Sequence, residues 1–295
     1  MLVVKATSLG ETVTSNRIVV GVDGSAGARS ALHWAADECR VRRHMLLVVH
    51  APDLADADAM APAIRSLDEI GERMLSEHAA AASARQPSVV VTTLLGHIPA
   101  ADELIALSAD SELVVVGTHG RGGIISSILG SVSCRVAAHA HCPVAVVPER
   151  RMPRRDVRPP RVVVGMSAAT SGQVALELAF DEAQRRGATL VAVQASGVPD
   201  SSERLHLAAV ARGYRDVPIE PLLVSAEPSD ALLRAAQDAQ LVVVGCHHSE
   251  DRWSTRLGPV PSAIVHRSPC PVIVVGEWHP ASPAIRGGVL AADFA

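Results

Sequence analysis

A glycine-rich segment at residues 117–133 contains the residue types that suit a phosphate group. It starts as Gly-Thr-His-Gly-Arg-Gly-Gly, ends as Gly-Ser-Val-Ser, and joins the apolar run Leu113–Val116 to a helical stretch. Glycines let a backbone approach a ligand closely and adopt positive φ. A helix start offers unpaired N–H groups and the positive end of the helix dipole. The segment therefore predicts a phosphate-binding loop between a strand and a helix.

Polar side chains in the loop can supplement its backbone donors. The hydroxyl groups of Ser131 and Ser133 can donate hydrogen bonds, and the guanidinium of Arg121 can pair with a phosphate charge. His119 has no evident carboxylate partner, so we interpret it as a polar lining residue and not as a base. The loop residues predicted to bind the ligand are Gly117, His119, Gly120, Arg121, Gly122, Gly130, Ser131, Val132 and Ser133.

Two other strand ends are predicted to reach the same edge of the sheet. Asp23 follows the first strand, where its carboxylate could accept hydrogen bonds from ribose hydroxyls or hold a metal ion beside phosphates. Gly21 and Val22, which precede it, are predicted to belong to the same cofactor-binding site. The alternative is that Asp23 caps the helix that follows, within Val-Asp-Gly-Ser. Ala51 follows the second strand, where its backbone could meet an adenine edge. Ligands of open parallel sheets bind at such carboxyl ends.

The chain contains two copies of one unit. Ile18-Val-Val-Gly recurs as Val162-Val-Val-Gly, a shift of 144 residues, and Leu113-Val-Val-Val-Gly recurs as Leu241-Val-Val-Val-Gly, a shift of 128. The second copy is therefore 16 residues shorter, and the deletion falls after its second strand. Such self-similarity indicates duplication of one structural unit.

Each unit alternates apolar strands with helical stretches. Strands that are apolar on both faces indicate a covered parallel sheet, and the alternation predicts a doubly wound α/β fold. The predicted strands of the first unit are Ile18–Val22, Met45–His50, Val89–Leu94, Leu113–Val116 and Val144–Val147, and its predicted helices are Ala26–Arg43, Ala61–Ala84, Pro99–Ser108 and Ser131–His139. We predict a first domain at residues 1–149, an Arg- and Pro-rich linker at 150–161, a second domain at 162–276 and a tail at 277–295.

Composition excludes several classes of protein. The 295 residues carry a net charge of −4, which argues against a dedicated nucleic-acid binder, and Lys5 is the only lysine, which excludes a P-loop. No apolar run approaches the roughly 20 residues of a membrane span, and no signal peptide is evident. The five cysteines lack CxxC spacing, which is typical of reduced thiols. These features predict a cytoplasmic protein.

The residues of the loop resemble the universal stress protein family, specifically tandem members of actinobacterial type. The resemblance rests on Gly-x2-Gly-x9-Gly-Ser at Gly117, Gly120, Gly130 and Ser131, on Asp23, and on the Cys-Pro-Val that ends each unit. It implies two Rossmann-like (adenine nucleotide alpha hydrolase-like) domains, each with a five-stranded parallel sheet of order 3-2-1-4-5 flanked by helices. It also implies ATP as the ligand, with or without Mg²⁺, and pairing through the last strands as a homodimer or an internal pseudo-dimer.

The second copy departs from this motif. Gly117 and Gly130 keep glycine counterparts in Gly245 and Gly258. The other replacements are Ser167 for Asp23, His248 for Gly120, Ser249 for Arg121, Glu250 and Asp251 for Gly122 and Gly123, Pro259 for Ser131, and Pro261 for Ser133. These changes fill the loop, add negative charge and remove an N–H donor, so we predict an empty second site. The adjacent Cys246, His247 and His248 lack metal-ligand spacing and are interpreted as loop residues.

Three functions follow from these features. The first is a nucleotide-binding stress or signalling protein in which ATP stabilises one conformation or association, without turnover. The second is a slow ATPase, for which the sequence supplies no general base or arginine finger. The third is a dimerisation scaffold that binds no nucleotide. We expect the first, with adenine nucleotide as partner and no nucleic acid or membrane.

Overall fold

The computed structural model describes residues 4–5, 16–51, 61–118, 130–149, 159–195, 201–246 and 257–276. The elements of the first half are β1 (Val4–Lys5), β2 (Arg17–Gly21), α1 (Ala26–Arg42), β3 (Met45–His50), α2 (Ala61–Arg85), β4 (Val91–Leu95), α3 (Ala100–Ser108), β5 (Leu113–Gly117), α4 (Ser131–His139) and β6 (Val144–Val147). Those of the second half are β7 (Arg161–Gly165), α5 (Thr170–Arg186), β8 (Thr189–Gln194), α6 (Ser201–Ala211), β9 (Ile219–Leu223), α7 (Pro228–Ala235), β10 (Leu241–Gly245), α8 (Pro259–Arg267) and β11 (Val272–Val275).

Both halves have the predicted strand order. The first half runs β4-β3-β2-β5-β6 and the second β9-β8-β7-β10-β11, which is 3-2-1-4-5 in each case. The first half departs from the expected five strands, because the two-residue strand β1 pairs with the outer edge of β4 as a sixth. All pairings within a half are parallel. In the first half the observed helix and strand limits lie within about two residues of the predicted ones. The doubly wound α/β fold is confirmed.

The two halves join through their last strands. β6 pairs antiparallel with β11, with Val144 opposite Val274 and Val146 opposite Val272, so the chain forms one 11-stranded sheet. Helices α1, α2, α5 and α6 pack on one face, and α3, α4, α7 and α8 pack on the other. Each hydrophobic core continues across the junction, because each contains buried residues from both halves.

Length and hydropathy of the helices bear on membrane insertion. Among the described helices, none combines the length and apolar character that crossing a bilayer requires.

A buried ion cluster lies where α1 meets α5. Arg42 at the end of α1 contacts Glu182 of α5 at 2.6 Å and its own helix neighbour Glu38 at 3.4 Å. Arg186 at the end of α5 contacts Glu38 of α1 and its own helix neighbour Glu182. The Arg42 and Glu182 side chains are at most 2% exposed. Because the 144-residue shift relates Glu38 to Glu182 and Arg42 to Arg186, the four side chains form a two-fold arrangement.

Further side chains join the cluster, and they differ between the two halves. Glu112 accepts a hydrogen bond from Arg42 at 2.8 Å and contacts the imidazole of His44. Arg185 pairs with Glu182 at 2.8 Å. Burial disfavours the charged carboxyl of Glu112, but its hydrogen bonds with His44 and Arg42 and the Arg42 charge outweigh burial and lower its pKa to about 2.

Removing the most buried acid of the cluster is expected to destabilise the chain strongly. Glu182→Gln leaves three arginines short of a carboxylate, and breaking a buried pair costs about 3–5 kcal/mol. The matched control is Glu220→Gln, whose carboxylate is half exposed and pairs with Arg161, and which we expect to cost about 1 kcal/mol or less. Urea unfolding of both variants measures the difference. Equal losses would contradict a structural role for the cluster.

The Glu112 carboxyl should make part of the stability depend on pH. Its folded pKa lies below its unfolded value, so its contribution is complete above the unfolded pKa and is lost as the pH falls from about 5 to 2. We expect Glu112→Gln to be less stable than the parent protein at neutral pH. The gap should narrow by roughly 2 kcal/mol by about pH 3. Urea titrations across this range test it, and a gap independent of pH would refute it.

Candidate functional site

The predicted site residues that the structure describes lie at one edge of the first sheet. β2 pairs with both β3 and β5, so the strand ends that carry Val22 and Asp23, Ala51 and Gly117 follow one another along that edge. The start of α4 closes on the same edge, because the amide of Gly130 donates to the carbonyl of Thr118 at 2.9 Å. His119, Gly120, Arg121 and Gly122 lie outside the described residues.

Asp23 forms a turn and does not itself cap α1. Its Oδ1 accepts a hydrogen bond from the amide of Ser25 at 2.9 Å. The cap is Ser25, whose hydroxyl oxygen accepts from the amide of Ala28 at 3.0 Å. The alternative interpretation of Asp23 as the helix cap is therefore wrong. The half-buried carboxylate of Asp23 is held at the strand end, in front of the helix.

His50 is a structural residue of the site that sequence reasoning missed. The Nδ1 atom of its buried ring lies 2.8 Å from the carbonyl oxygen of Val22. Because a carbonyl can only accept, Nδ1–H donates this hydrogen bond. The carbonyl of His50 accepts from the amide of Gly96 at 2.8 Å, and the amide of Val22 donates to Val49. His50 therefore fixes the backbone between the strand and Asp23. Its place as the last residue before Ala51 was the available signal.

Gly117 is required by packing against α1. A Cβ at this position would lie 2.7 Å from the carbonyl carbon and 2.8 Å from the oxygen of Gly27. Gly245, its counterpart, would place a Cβ 2.7 Å from the carbonyl carbon of Ser171. Real Cβ atoms do not approach a backbone so closely, so both glycines keep the first helix of their half against the sheet. Retention of this glycine in both copies has a structural cause.

The start of α4 provides the donors that an anion needs. The first amides of a helix, here those of Ser131, Val132 and Ser133, lack partners one turn earlier, and no acidic side chain occupies this turn. The hydroxyl of Ser133, however, is buried and donates to the carbonyl of Gly117 at 2.6 Å. The Ser133 hydroxyl thus connects α4 to β5. Only the backbone amide of Ser133 remains for the predicted contact with the ligand.

The second half keeps the turn and the helix start at this edge but has different side chains there. The hydroxyl of Ser167 accepts from the amide of Ala169 at 3.3 Å, which reproduces the turn made by Asp23 without a carboxylate. α8 begins at Pro259, which has no N–H, and Pro261 is buried where Ser133 stands in the first half. Residues 247–251 lie outside the described residues. Within the described ranges, no group of three or more metal-ligating side chains occurs.

Alanine at the two packing glycines should destabilise both halves alike. Gly117→Ala and Gly245→Ala each force a Cβ into helix backbone, and overpacking costs about 1–3 kcal/mol. The control is Gly258→Ala, because the nearest atom to its Cβ is Pro261 Cδ at 3.8 Å, and we expect a change within about 0.5 kcal/mol. Thermal unfolding would contradict this account if only Gly117→Ala were destabilised.

Sequence and structure comparisons place the chain among known proteins. The sequence profile of the universal stress protein family matches residues 14–148 and 195–276. The universal stress protein Rv1996 of Mycobacterium tuberculosis is 33% identical, over 92% of this chain and 98% of its own. A universal stress protein from Archaeoglobus fulgidus superposes with a TM-score of 0.72 at 20% identity, over 89% of this chain and 97% of its own.

One half of the chain is also similar to a single-domain protein solved with a ligand. A universal stress protein solved in complex with cAMP matches 46% of this chain and 98% of its own length, with 23% identity and a TM-score of 0.37. The profile match, the full-length similarity to Rv1996 and the strand order agree. The chain belongs to the universal stress protein family and carries that fold twice.

Proposed function

We propose that the first half of the chain binds ATP and that the second half binds none. The observation that carries this proposal is the meeting of three groups at one sheet edge: the Asp23 carboxylate, the backbone at Ala51, and the start of α4 at Gly130 and Ser131. A ribose, an adenine and a phosphate group need an acceptor, a backbone edge and N–H donors in this order.

The electrostatics of the edge support an anionic ligand. The amides at the start of α4 carry the positive end of the helix dipole, which contributes about 0.3–1 kcal/mol to an exposed anion. Micromolar affinity needs about 8 kcal/mol, so the loop glycines and Arg121 must act together with the helix. The sequence supplies these residues in the first copy, within the domain proposed at 1–149.

The second copy supports the restriction to one site. Ser167 provides no carboxylate, and Pro259 removes one amide donor from the start of α8. The sequence adds Glu250 and Asp251 where the first loop has glycines. The domain proposed at 162–276 therefore serves as the pairing half, through β11.

Binding without turnover is the role that the site supports. A ligand that binds only the folded state stabilises it by about 2.7 kcal/mol at 100 times its dissociation constant. Adenine nucleotide, with or without Mg²⁺, would thus favour the ligand-bound conformation and alter stability or association under stress. No catalytic residue is proposed.

Native mass spectrometry and calorimetric titration should detect one ATP per chain. The decisive variant is Asp23→Ser, because Ser167 shows that serine preserves the turn while removing the carboxylate. Losing hydrogen bonds to a charged group should weaken ATP binding by about 10- to 100-fold with little change in stability. Gly120→His, which copies the second loop, should abolish binding.

Ser167→Asp is the matched control and should leave ATP binding at one per chain. Two nucleotides per chain would overturn the assignment of the second half. No binding by the parent protein would overturn the nucleotide proposal and leave the pairing scaffold.

A further inference from the structure

The second half has a groove where the first half has a helix. In the first half, the 25-residue helix α2 covers β3 and β4 and buries Leu75, Ala79 and Ala82. In the second half the equivalent helix α6 has 11 residues, none of them buried. A cavity of about 540 Å³ lies between α6 and the strands β8 and β9. Among the described residues, the shorter second copy therefore leaves part of its sheet face uncovered.

The groove has an apolar floor and walls. Leu207 and Ala211 of α6 pack on the same face of the sheet as Ile219 of β9, and Met166 follows the end of β7 on that face. The apolar surface continues outward, since Leu223 is 47% exposed and Leu205 is 71% exposed. Contiguous exposed apolar surface of this kind is typical of sites that bind an apolar group.

Among the described lining residues, one side chain is a cation. Arg204 lines the groove and is exposed, and within the described part of the chain no carboxylate lies at ion-pair distance from it. Gln194, also a lining residue, donates its Nε2–H to Glu203 at 2.7 Å. The acid beside this end of the groove disfavours a ligand with several negative charges, such as a nucleotide triphosphate. The charge pattern fits a single anionic group.

The edge strand narrows the choice of occupant. Pro221 lies in the middle of β9 and lines the groove, and proline lacks the N–H that an added strand would need. The volume lies within the roughly 300–1,000 Å³ of small-molecule sites. A small molecule therefore fits this groove better than an extended peptide.

We propose that this groove binds a single-chain amphipathic carboxylate, with its alkyl chain between α6 and β9 and its carboxylate at Arg204. The site is separate from the nucleotide crevice and does not depend on it. It would give the second half a ligand of its own, at the place where the second copy is shorter than the first.

Calorimetric titration of the full chain with octanoate, decanoate and dodecanoate, below their micelle concentrations, tests the proposal. We expect one site per chain and an affinity that rises about fourfold for each added methylene. Dodecanol should bind more weakly than dodecanoate, because it cannot pair with the guanidinium.

Three variants distinguish binding in the groove from nonspecific binding of amphiphiles to the protein. Arg204→Gln should weaken dodecanoate about 10-fold and leave dodecanol unchanged, whereas Arg212→Gln, an exposed arginine just beyond α6, should change neither. Ala208→Trp should fill the groove from its exposed rim and abolish binding of both. Absence of binding, or dodecanoate binding that Ala208→Trp and Arg204→Gln leave unaltered, would overturn the proposal.

Discussion

Because β6 and β11 pair antiparallel, the six strands of the first half and the five of the second become one sheet, and each half gives its last strand a backbone partner. The strands within a half are parallel. The antiparallel junction therefore places the carboxyl ends of the first half's strands at one edge of the sheet and those of the second half's strands at the opposite edge. The same junction brings α1 and α5 together, where the charges of Arg42, Glu38, Arg186 and Glu182 are withdrawn from water. A buried charge is tolerable only with its partners in place. The ion cluster therefore adds paired charges to the apolar contacts that align the two halves.

The separation of the two edges explains how one copy could change while the other did not. The crevice of the first half is built from β2, β3, β5 and the start of α4, and no residue of the second half takes part in its described contacts. The contacts between the halves lie instead at the β6–β11 junction and in the ion cluster at the ends of α1 and α5. Substitutions at the second edge therefore alter that edge without disturbing the first.

Much of this fold is readable from sequence, because its strands are apolar on both faces and its repeat is regular. The strand order and the pairing through the last strands followed from the family resemblance. The ion cluster could not be read in this way: Glu38 and Glu182 were visible as repeat partners, but their crossed contacts with Arg42 and Arg186 depend on the two-fold axis between halves. His50 was missed for a related reason, since its bond to the Val22 carbonyl joins neighbouring strands and leaves no local pattern. The shorter second copy was evident, whereas the groove it leaves depends on how α6 sits over β9.

The fold and the proposed ligand site use different atoms at the same positions, and the second copy keeps the first set without the second. Gly245 retains the close contact with α5 that Gly117 makes with α1. Ser167 retains the turn bond of Asp23 without its charge, and Pro259 begins a helix as well as Ser131 does while lacking an amide hydrogen. The surviving features hold the helices and the turn in place, whereas the lost groups are a carboxylate and an amide hydrogen that the proposed nucleotide would contact. The second copy thus keeps the contacts that hold its first helix against the sheet, and it differs from the first copy at the groups on which the proposed nucleotide site depends.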